Sequence, residues 1–140
     1  MGVNRHTRDE AVNTKALAEK HGCRVTGITL SDEQHDYARE QIARKGLSGQ
    51  VDIRIEDYRD VIGTYDAVAS IEMFEAVGER YWKTYFDRLK AQLDTGGAAV
   101  IQTITIDDNY FESYRRGGDA IRDCIFPGGL LPSEKRLGEE

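Results

Sequence analysis

The chain has 140 residues, with 25 acidic side chains against 19 lysines and arginines, and a formal net charge of −6. This acidity argues against a general affinity for nucleic acid or anionic lipid. The longest nearly apolar run, Ala98–Ile101, is too short to cross a membrane, and no secretory hydrophobic segment follows Met1. We therefore expect a cytoplasmic protein with no nucleic-acid partner, and the length suits one domain over residues 1–140.

Cys23 and Cys124 are the only cysteines. Two thiols so far apart form neither a disulfide framework nor a zinc-binding pattern. Grouping Cys23 with His21 and His35 leaves a metal-ligand set incomplete, so we expect no metal site.

Two capping boxes predict helices in the first half of the chain. Thr7-Arg8-Asp9-Glu10 predicts a helix over Arg8–His21, and Ser31-Asp32-Glu33-Gln34 predicts a second that reaches about Lys45. Gly46 follows the second helix, where a left-handed residue commonly ends helices.

Four stretches read as strands. Arg24–Leu30 is rich in β-branched residues, and Val51–Ile55 alternates strictly between apolar and polar residues. Tyr65–Ile71 is nearly apolar, as in a strand covered on both faces at the centre of a parallel sheet. Ala98–Ile106 is a longer run that follows a predicted turn at Asp94–Gly97.

The second half contains two further helices. Between Glu79 and Leu93, aromatic and leucine side chains recur at three-and-four spacing, which indicates an amphipathic helix packed on a core. Asp107-Asp108-Asn109 predicts the start of a short helix, and the tail from Arg115 onward reads as irregular. Strand and helix thus alternate, which predicts a doubly wound parallel α/β sheet.

Two carboxylates, Glu72 and Glu75, directly follow the strand predicted at Tyr65–Ile71. In an open α/β sheet the ligand crevice lies at the carboxyl ends of the strands, so both side chains fall where a substrate binds. The alternative is that they open the next helix, because carboxylates are favoured near helix N-termini.

Three motifs in order give the chain a family resemblance: Gly27-Ile28-Thr29-Leu30-Ser31, Phe74-Glu75-Ala76-Val77-Gly78 and Ile125-Phe126-Pro127-Gly128-Gly129. Over residues 16–137 the chain resembles the cyclopropane-fatty-acyl-phospholipid synthases and mycolic acid cyclopropane synthases, with residues 1–15 unmatched. The resemblance implies a Rossmann-like methyltransferase fold and S-adenosylmethionine as cofactor. It also implies methyl transfer to the double bond of an unsaturated acyl chain in phospholipid.

The resemblance implies seven cofactor-binding residues. Thr29, Leu30 and Gln34 correspond to the segment that holds the ribose and methionine portions, Asp57 and Tyr58 flank the adenine, and Ser70 and Ile71 lie near the transferable methyl group. The chemistry agrees, since an aspartate accepts a hydrogen bond from an exocyclic amine and a tyrosine ring packs on a base. Without the resemblance, Asp57 reads as an ordinary loop acid.

The resemblance also implies that Glu75, Gln102 and the backbone of Ile104 hold a bicarbonate ion beside the substrate alkene. Alkene attack on a sulfonium methyl leaves a carbocation, and ring closure requires a base to remove a proton from the new methyl. A small bound anion supplies that base and stabilises the cation. Glu72 is interpreted as a supporting or helix-entry residue.

Gln102 stands where the best-known family members have a histidine. An amide carries no proton at neutral pH, so a proton-shuttling role is lost at this position. This substitution favours plain methyl transfer as an alternative to cyclopropanation.

The family places a glycine-rich cofactor loop before the position of Gly22, where this chain reads Thr7-Arg8-Asp9-Glu10-Ala11-Val12. We therefore expect a domain truncated at both ends, without its first central strand and its last strands, and with weak cofactor binding. The alternatives are an inactive remnant and an assembly module that forms a homo-oligomer through unpaired strand edges. A lipid substrate further implies transient contact with the inner membrane surface.

Overall fold

A computed structural model describes residues 6–117 and 129–139 of the chain, with side chains from residue 14 onward. The chain divides into two compact units, Met1–Val61 and Ile62–Glu140. Each unit contains one pair of parallel strands, β1–β2 in the first and β3–β4 in the second.

The first unit alternates helix and strand. Its elements in chain order are α1 (His6–His21), β1 (Val25–Thr29), α2 (Asp32–Arg44) and β2 (Val51–Ile55). The strands pair in parallel from Val25↔Val51 to Thr29↔Ile55. These elements confirm both predicted strands and both predicted helices, apart from the first residues of α1.

Helix α1 begins at His6, so Thr7 lies inside the helix and is not its N-cap. The predicted start at Arg8 was therefore wrong. Threonine is only mildly unfavourable inside a helix, and nothing in the polar segment around it stops helical hydrogen bonding. The six residues expected at the position of the family's glycine-rich loop, Thr7 to Val12, are all helical.

Helix α2 has the termini that the sequence predicts. Ser31 is the N-cap, and its hydroxyl accepts a hydrogen bond from the Gln34 backbone N–H at 3.2 Å. At the other end, Gly46 has a φ of +69°, and the N–H of Leu47 reaches the carbonyl of Ile42 at 3.1 Å. These bonds form a Schellman cap, which only a residue tolerant of positive φ allows.

The core of the first unit lies between its helices and its sheet. Ala18, Ile42 and Val51 are each less than 10% exposed, and Val25, Leu47 and Ile53 pack against them. The apolar side chains of β1, β2 and α2 thus pack into one core.

The second unit contains, in chain order, β3 (Tyr65–Ile71), two short 3₁₀ turns (Phe74–Ala76 and Glu79–Tyr81), α3 (Trp82–Ala91), β4 (Leu93–Gln102), α4 (Asp108–Arg116) and α5 (Glu134–Leu137). The strands pair in parallel, with regular register from Ala67↔Ala98 to Ile71↔Gln102. Helix α3 is shorter than the predicted Glu79–Leu93, because the chain enters it through a 3₁₀ turn.

Strand β4 differs from its prediction at both ends. It begins at Leu93, which pairs with Tyr65, and the next ladder pair is Ala67↔Ala98. The predicted turn at Asp94–Gly97 is therefore an interruption inside the strand, where Gly96 adopts a φ of +84°. The strand ends at Gln102, and Ile106 forms only an isolated bridge to Ser133.

The aromatic stripe of the second unit forms a core, as predicted. Phe74, Trp82 and Tyr85 are fully buried, and the Phe74 ring centroid lies 5.2 Å from Trp82 and 4.9 Å from Tyr85. The Trp82 indole N–H donates to the Val77 carbonyl at 3.0 Å. Each large ring therefore has apolar neighbours, and the indole N–H has its acceptor.

The prediction that β3 is covered on both faces, as in the centre of a parallel sheet, was wrong within this unit. Among the described strands, β3 pairs with β4 alone, and Asp66, Ala67 and Ala69 are exposed. A parallel strand needs neighbours on both edges and helices on both faces to be buried. Small side chains and one neighbour leave one face of β3 accessible within this unit.

The tail contains more helix than the sequence predicts. Arg115 and Arg116 belong to α4, which is capped by the Asp107 carboxylate accepting from the Asn109 N–H at 2.8 Å. Four residues of the third family motif, Ile125 to Gly128, lie outside the described residues. Within the described residues, no helix is both long enough and apolar enough to span a membrane.

Candidate active site

The residues predicted to bind the cofactor's ribose and methionine portions lie where β1 ends and α2 begins. The Thr29 hydroxyl donates a short hydrogen bond to the Gln34 side-chain oxygen. The same hydroxyl oxygen accepts from the Ser31 N–H at 3.2 Å. Leu30, between them, is 73% exposed. Thr29 and Gln34 are thus brought together, and an apolar side chain is accessible beside them.

The predicted adenine-binding pair lies at the same edge of the first sheet. Asp57 and Tyr58 follow β2, and the Glu56 N–H donates to the Thr29 carbonyl at 3.1 Å, which joins the two strand ends. Parallel strands present their carboxyl ends together. The structure therefore collects Thr29, Leu30, Gln34, Asp57 and Tyr58 at one edge.

Arg59 is a residue of this edge that sequence reasoning missed. Its guanidinium donates to both carboxylate oxygens of Asp57, from Nε at 2.8 Å and from Nη2 at 2.6 Å. These hydrogen bonds lower the pKa of the Asp57 carboxyl and raise the pKa of Arg59. The sequence shows only that an arginine follows two residues after an aspartate, and this spacing is too common to predict the hydrogen-bonded geometry.

The second sheet carries the other predicted residues at its own carboxyl edge. Ile71 pairs with Gln102, which is exposed. Ser70 is only 8% exposed, and its hydroxyl accepts a 2.6 Å hydrogen bond from the buried Tyr85 hydroxyl. The Ser70 side chain is therefore held by the aromatic core, one residue before the strand ends.

Glu75 is the most unusual group of the second unit because a carboxylate is rarely this buried. It is 2% exposed, and its Oε1 accepts from the Ile104 backbone N–H at 2.5 Å. No described residue donates a hydrogen bond to Oε2. The Ile104 side chain is 53% exposed. The structure thus joins two of the predicted catalytic residues and leaves one buried acceptor unsatisfied.

Glu72 begins the turn that carries Glu75 away from β3. Its φ is +51°, a left-handed conformation that non-glycine residues rarely adopt. Its N–H donates to the Gln102 carbonyl at 2.9 Å, which extends the ladder by one bond. Glu72 therefore contributes a backbone hydrogen bond at this edge, and its supporting role stays a prediction.

A cavity of about 450 Å³ lies elsewhere in the second unit, between α4 and α5. Arg115, Arg136 and Glu112 are among its lining residues, and Arg115 and Arg136 also pair with Glu79. None of the predicted site residues lines it. In the described part of the chain, no three histidine, cysteine or carboxylate side chains are grouped so that they could hold a metal ion.

The family model for mycolic acid cyclopropane synthetase matches residues 12–140. The chain therefore belongs to the mycolic acid cyclopropane synthetase family, whose α/β methyltransferase fold it shares.

Relatives of the chain include two lipid-modifying enzymes. It is 42% identical over 120 residues to tuberculostearic acid methyltransferase UfaA1 of Mycobacterium tuberculosis, covering 86% of this chain and 28% of that protein. It is 32% identical over 123 residues to cyclopropane-fatty-acyl-phospholipid synthase of Escherichia coli K12, covering 88% and 30%. The chain thus spans less than a third of the length of these relatives.

Among solved structures, the chain is similar to mycolic acid cyclopropane synthase CmaA1 complexed with SAH and CTAB. The TM-score is 0.76 at 25% sequence identity, covering 89% of this chain and 47% of CmaA1. This similarity confirms the predicted fold class.

Proposed function

We propose that this chain takes part in S-adenosylmethionine-dependent methyl transfer to the double bond of an unsaturated acyl chain in phospholipid. The observation that carries the proposal is Glu75, a carboxylate that is 2% exposed, follows β3 and has one oxygen without a described donor. A buried polar atom without a hydrogen-bond partner destabilises the folded protein by about 1–3 kcal/mol, and a charged group by more. A ligand that donates a hydrogen bond to Oε2 offsets this destabilisation.

The residues after β1 and β2 fit the cofactor's chemistry. Asp57 offers a hydrogen-bond acceptor for the adenine amine, and Tyr58 offers a ring that can pack on the base. Thr29 and Gln34 offer hydroxyl and amide groups for the ribose and methionine portions. The related CmaA1 structure contains SAH, which supports the same assignment here. When bound, S-adenosylmethionine supplies a methyl group on a positively charged sulfur. Ser70 and Ile71 are proposed to lie near that methyl group.

We propose that bicarbonate binds the Glu75 oxygen to which no described residue donates a hydrogen bond. A carboxylate binds bicarbonate only by accepting its O–H, and Oε2 is an acceptor without a described donor. The Ile104 N–H already donates to Oε1, so this backbone group orients Glu75. Gln102, exposed at the same strand end, supplies an amide donor to the anion in this proposal.

The names of the two relatives point to different outcomes, since one is a methyltransferase and the other a cyclopropane synthase. Both outcomes remove one proton from the carbocation: cyclopropanation removes it from the new methyl group, whereas methylation without ring closure removes it from a neighbouring carbon of the acyl chain and leaves a double bond. The amide of Gln102 cannot relay the proton of the new methyl group, which favours methylation without ring closure. A substrate held in a bilayer also requires contact with the inner membrane surface, so we propose a cytoplasmic protein that binds membranes transiently.

A transfer assay tests this function. The chain is incubated with methyl-labelled S-adenosylmethionine and phosphatidylethanolamine vesicles whose acyl chains are either cis-monounsaturated or saturated. We expect label in the unsaturated lipid alone. Proton nuclear magnetic resonance of the released acyl chains separates cyclopropane products from methyl-branched alkenes, which have the same mass. Removing dissolved carbon dioxide should lower the rate if bicarbonate is the bound anion.

Glu75→Gln provides the matched variant, because the amide keeps the size of the side chain and removes its charge. We expect it to lower transfer by about a hundredfold or more, as for loss of a key electrostatic group. Glu40→Gln, on the exposed surface of α2, should leave the rate unchanged. Equal label in saturated lipid, or full activity of Glu75→Gln, would contradict the proposal. Cofactor binding without any transfer would instead identify an inactive remnant.

A second candidate function is assembly through the β3–β4 sheet. Val100 is 63% exposed, and Ala67 and Ala69 on the paired strand are exposed as well. An accessible apolar strand is a template for pairing with another chain. Sedimentation velocity tests a homo-oligomer, since Ala69→Lys on β3 should return an oligomer to monomer, whereas a wild-type monomer at all concentrations would exclude it.

A further inference from the structure

The Asp57 carboxylate makes an unusually complete set of contacts with one neighbour. Its Oδ1 accepts two hydrogen bonds from Arg59, from the backbone N–H at 2.9 Å and from Nε at 2.8 Å. Its Oδ2 accepts one, from Nη2 at 2.6 Å. A carboxylate oxygen has two acceptor positions. Arg59 therefore fills both positions on Oδ1 and one of the two on Oδ2.

Asp57 and Arg59 each have further surroundings that limit their movement. The Asp57 side chain is 18% exposed, whereas that of Arg59 is 53% exposed, so the acid is the enclosed partner. The Arg59 guanidinium also lies 5.9 Å from the centroid of the Tyr58 ring. A bidentate fork fixes the plane of a carboxylate, which a single hydrogen bond does not. It also keeps the carboxylate ionised, in agreement with the lowered pKa of Asp57.

We infer that Arg59 is a positioning residue that leaves Asp57 one acceptor position, and that this position makes the site select purine nucleosides with an exocyclic amine over those without one. The inference rests on the proposed function, in which Asp57 and Tyr58 flank the adenine. An amine N–H satisfies the remaining position on Oδ2. A purine without that donor leaves a charged acceptor facing an apolar ring edge, which is unfavourable.

Removing the fork should abolish this selection. Without the Arg59 guanidinium the carboxylate keeps only the hydrogen bond from the backbone N–H of residue 59 to Oδ1. The carboxylate can then rotate and Oδ2 binds water, so an incoming amine only replaces water. Lysine at this position restores the charge but supplies a point charge without the planar fork. The geometry therefore predicts that Arg59→Lys loses selectivity nearly as far as Arg59→Ala.

The test is a nuclear magnetic resonance titration of the full chain with adenosine and with purine riboside, which differ only in the exocyclic amine. We expect the wild type to bind adenosine about tenfold more tightly, the size of one hydrogen bond to a charged group. The ratio should fall to about twofold or less in Arg59→Ala and Arg59→Lys. Arg44→Ala, which removes an exposed arginine paired with Glu40, should keep the wild-type ratio.

The outcomes separate the two levels of the proposal. If the wild type binds neither nucleoside, the cofactor site itself is wrong and the role of Arg59 falls with it. If the wild type prefers adenosine and Arg59→Ala keeps that preference, the cofactor site stands and the inference is overturned. Retention of the preference by Arg59→Lys alone would show that charge, not the fork, is responsible, which also overturns it. The same spectra report whether each variant keeps the β1–β2 amide pattern and is therefore folded. If Arg59→Ala is not folded, the adenosine preference of Arg59→Lys decides the test.

Discussion

Glu72 and Glu75 leave the same strand and serve different purposes. Glu75 turns inward, where Ile104 binds one of its oxygens, while Glu72 contributes a backbone bond to Gln102 from a left-handed conformation. For a residue with a Cβ atom, that conformation costs about 1–2 kcal/mol. Strain of this kind persists where the surrounding structure requires it, often beside functional groups. Here it reverses the chain within three residues of the buried carboxylate.

The strain at Glu72 can be measured with a pair of variants that both remove the side chain. Glu72→Gly should be more stable than Glu72→Ala by about 1 kcal/mol, because glycine adopts a φ of +51° without a steric penalty. Denaturant unfolding followed by fluorescence of Trp82, the single tryptophan, reports on this unit. At the exposed helical position Thr84 the order should reverse, with alanine the more stable residue. The same order at both positions would exclude backbone strain at Glu72.

At the scale of elements, the capping of α2 positions part of the candidate site. The Ser31 hydroxyl holds the first turn, from which the Gln34 side chain reaches Thr29. The full capping box would instead return Gln34 to the Ser31 backbone N–H. In the structure that N–H donates to the Thr29 hydroxyl, so the box is completed through a predicted cofactor-binding residue.

Ser31→Ala should destabilise the first unit by about 1 kcal/mol, the usual cost of losing an N-cap side chain. Far-UV circular dichroism during denaturant unfolding measures this loss. Ser48→Ala, an exposed serine in the turn after α2, is the matched control and should change little. Equal stability of the two variants would mean that Ser31 does not cap the helix in solution.

Elements with strong local signals were predictable from sequence, and those set by tertiary pairing were not. Ser31 and Gly46 indicate the ends of α2, because a serine hydroxyl caps a helix N-terminus and a glycine tolerates the positive φ that follows a helix. The start of β4 at Leu93 depends on pairing with Tyr65 across a glycine-rich interruption, which no local pattern reveals. The same limit applies to the site: Glu75 follows a recognisable strand, whereas the Arg59 fork depends on side-chain geometry.

At the scale of the whole molecule, two parallel strand pairs each present a set of candidate residues at their carboxyl edge. One edge carries the residues proposed to bind an adenine nucleoside, and the buried Glu75, proposed to bind a small anion, follows the other. Ligand crevices of open α/β sheets lie at such edges. The chain spans less than a third of its curated relatives, so the reaction of the whole protein is a proposal.

Cofactor binding at the first edge is the most direct test of the account. Titration of the isotope-labelled chain with S-adenosylhomocysteine should shift the amide resonances of Thr29, Leu30, Asp57 and Tyr58. We expect the affinity to be weak, because Thr7 to Val12, the segment expected to correspond to the family's glycine-rich loop, is helical and contains no glycine. Asp57→Asn should weaken binding by about tenfold, as expected when a charged acceptor is lost. Shifts confined to other regions, or none at the highest soluble concentration, would contradict the account.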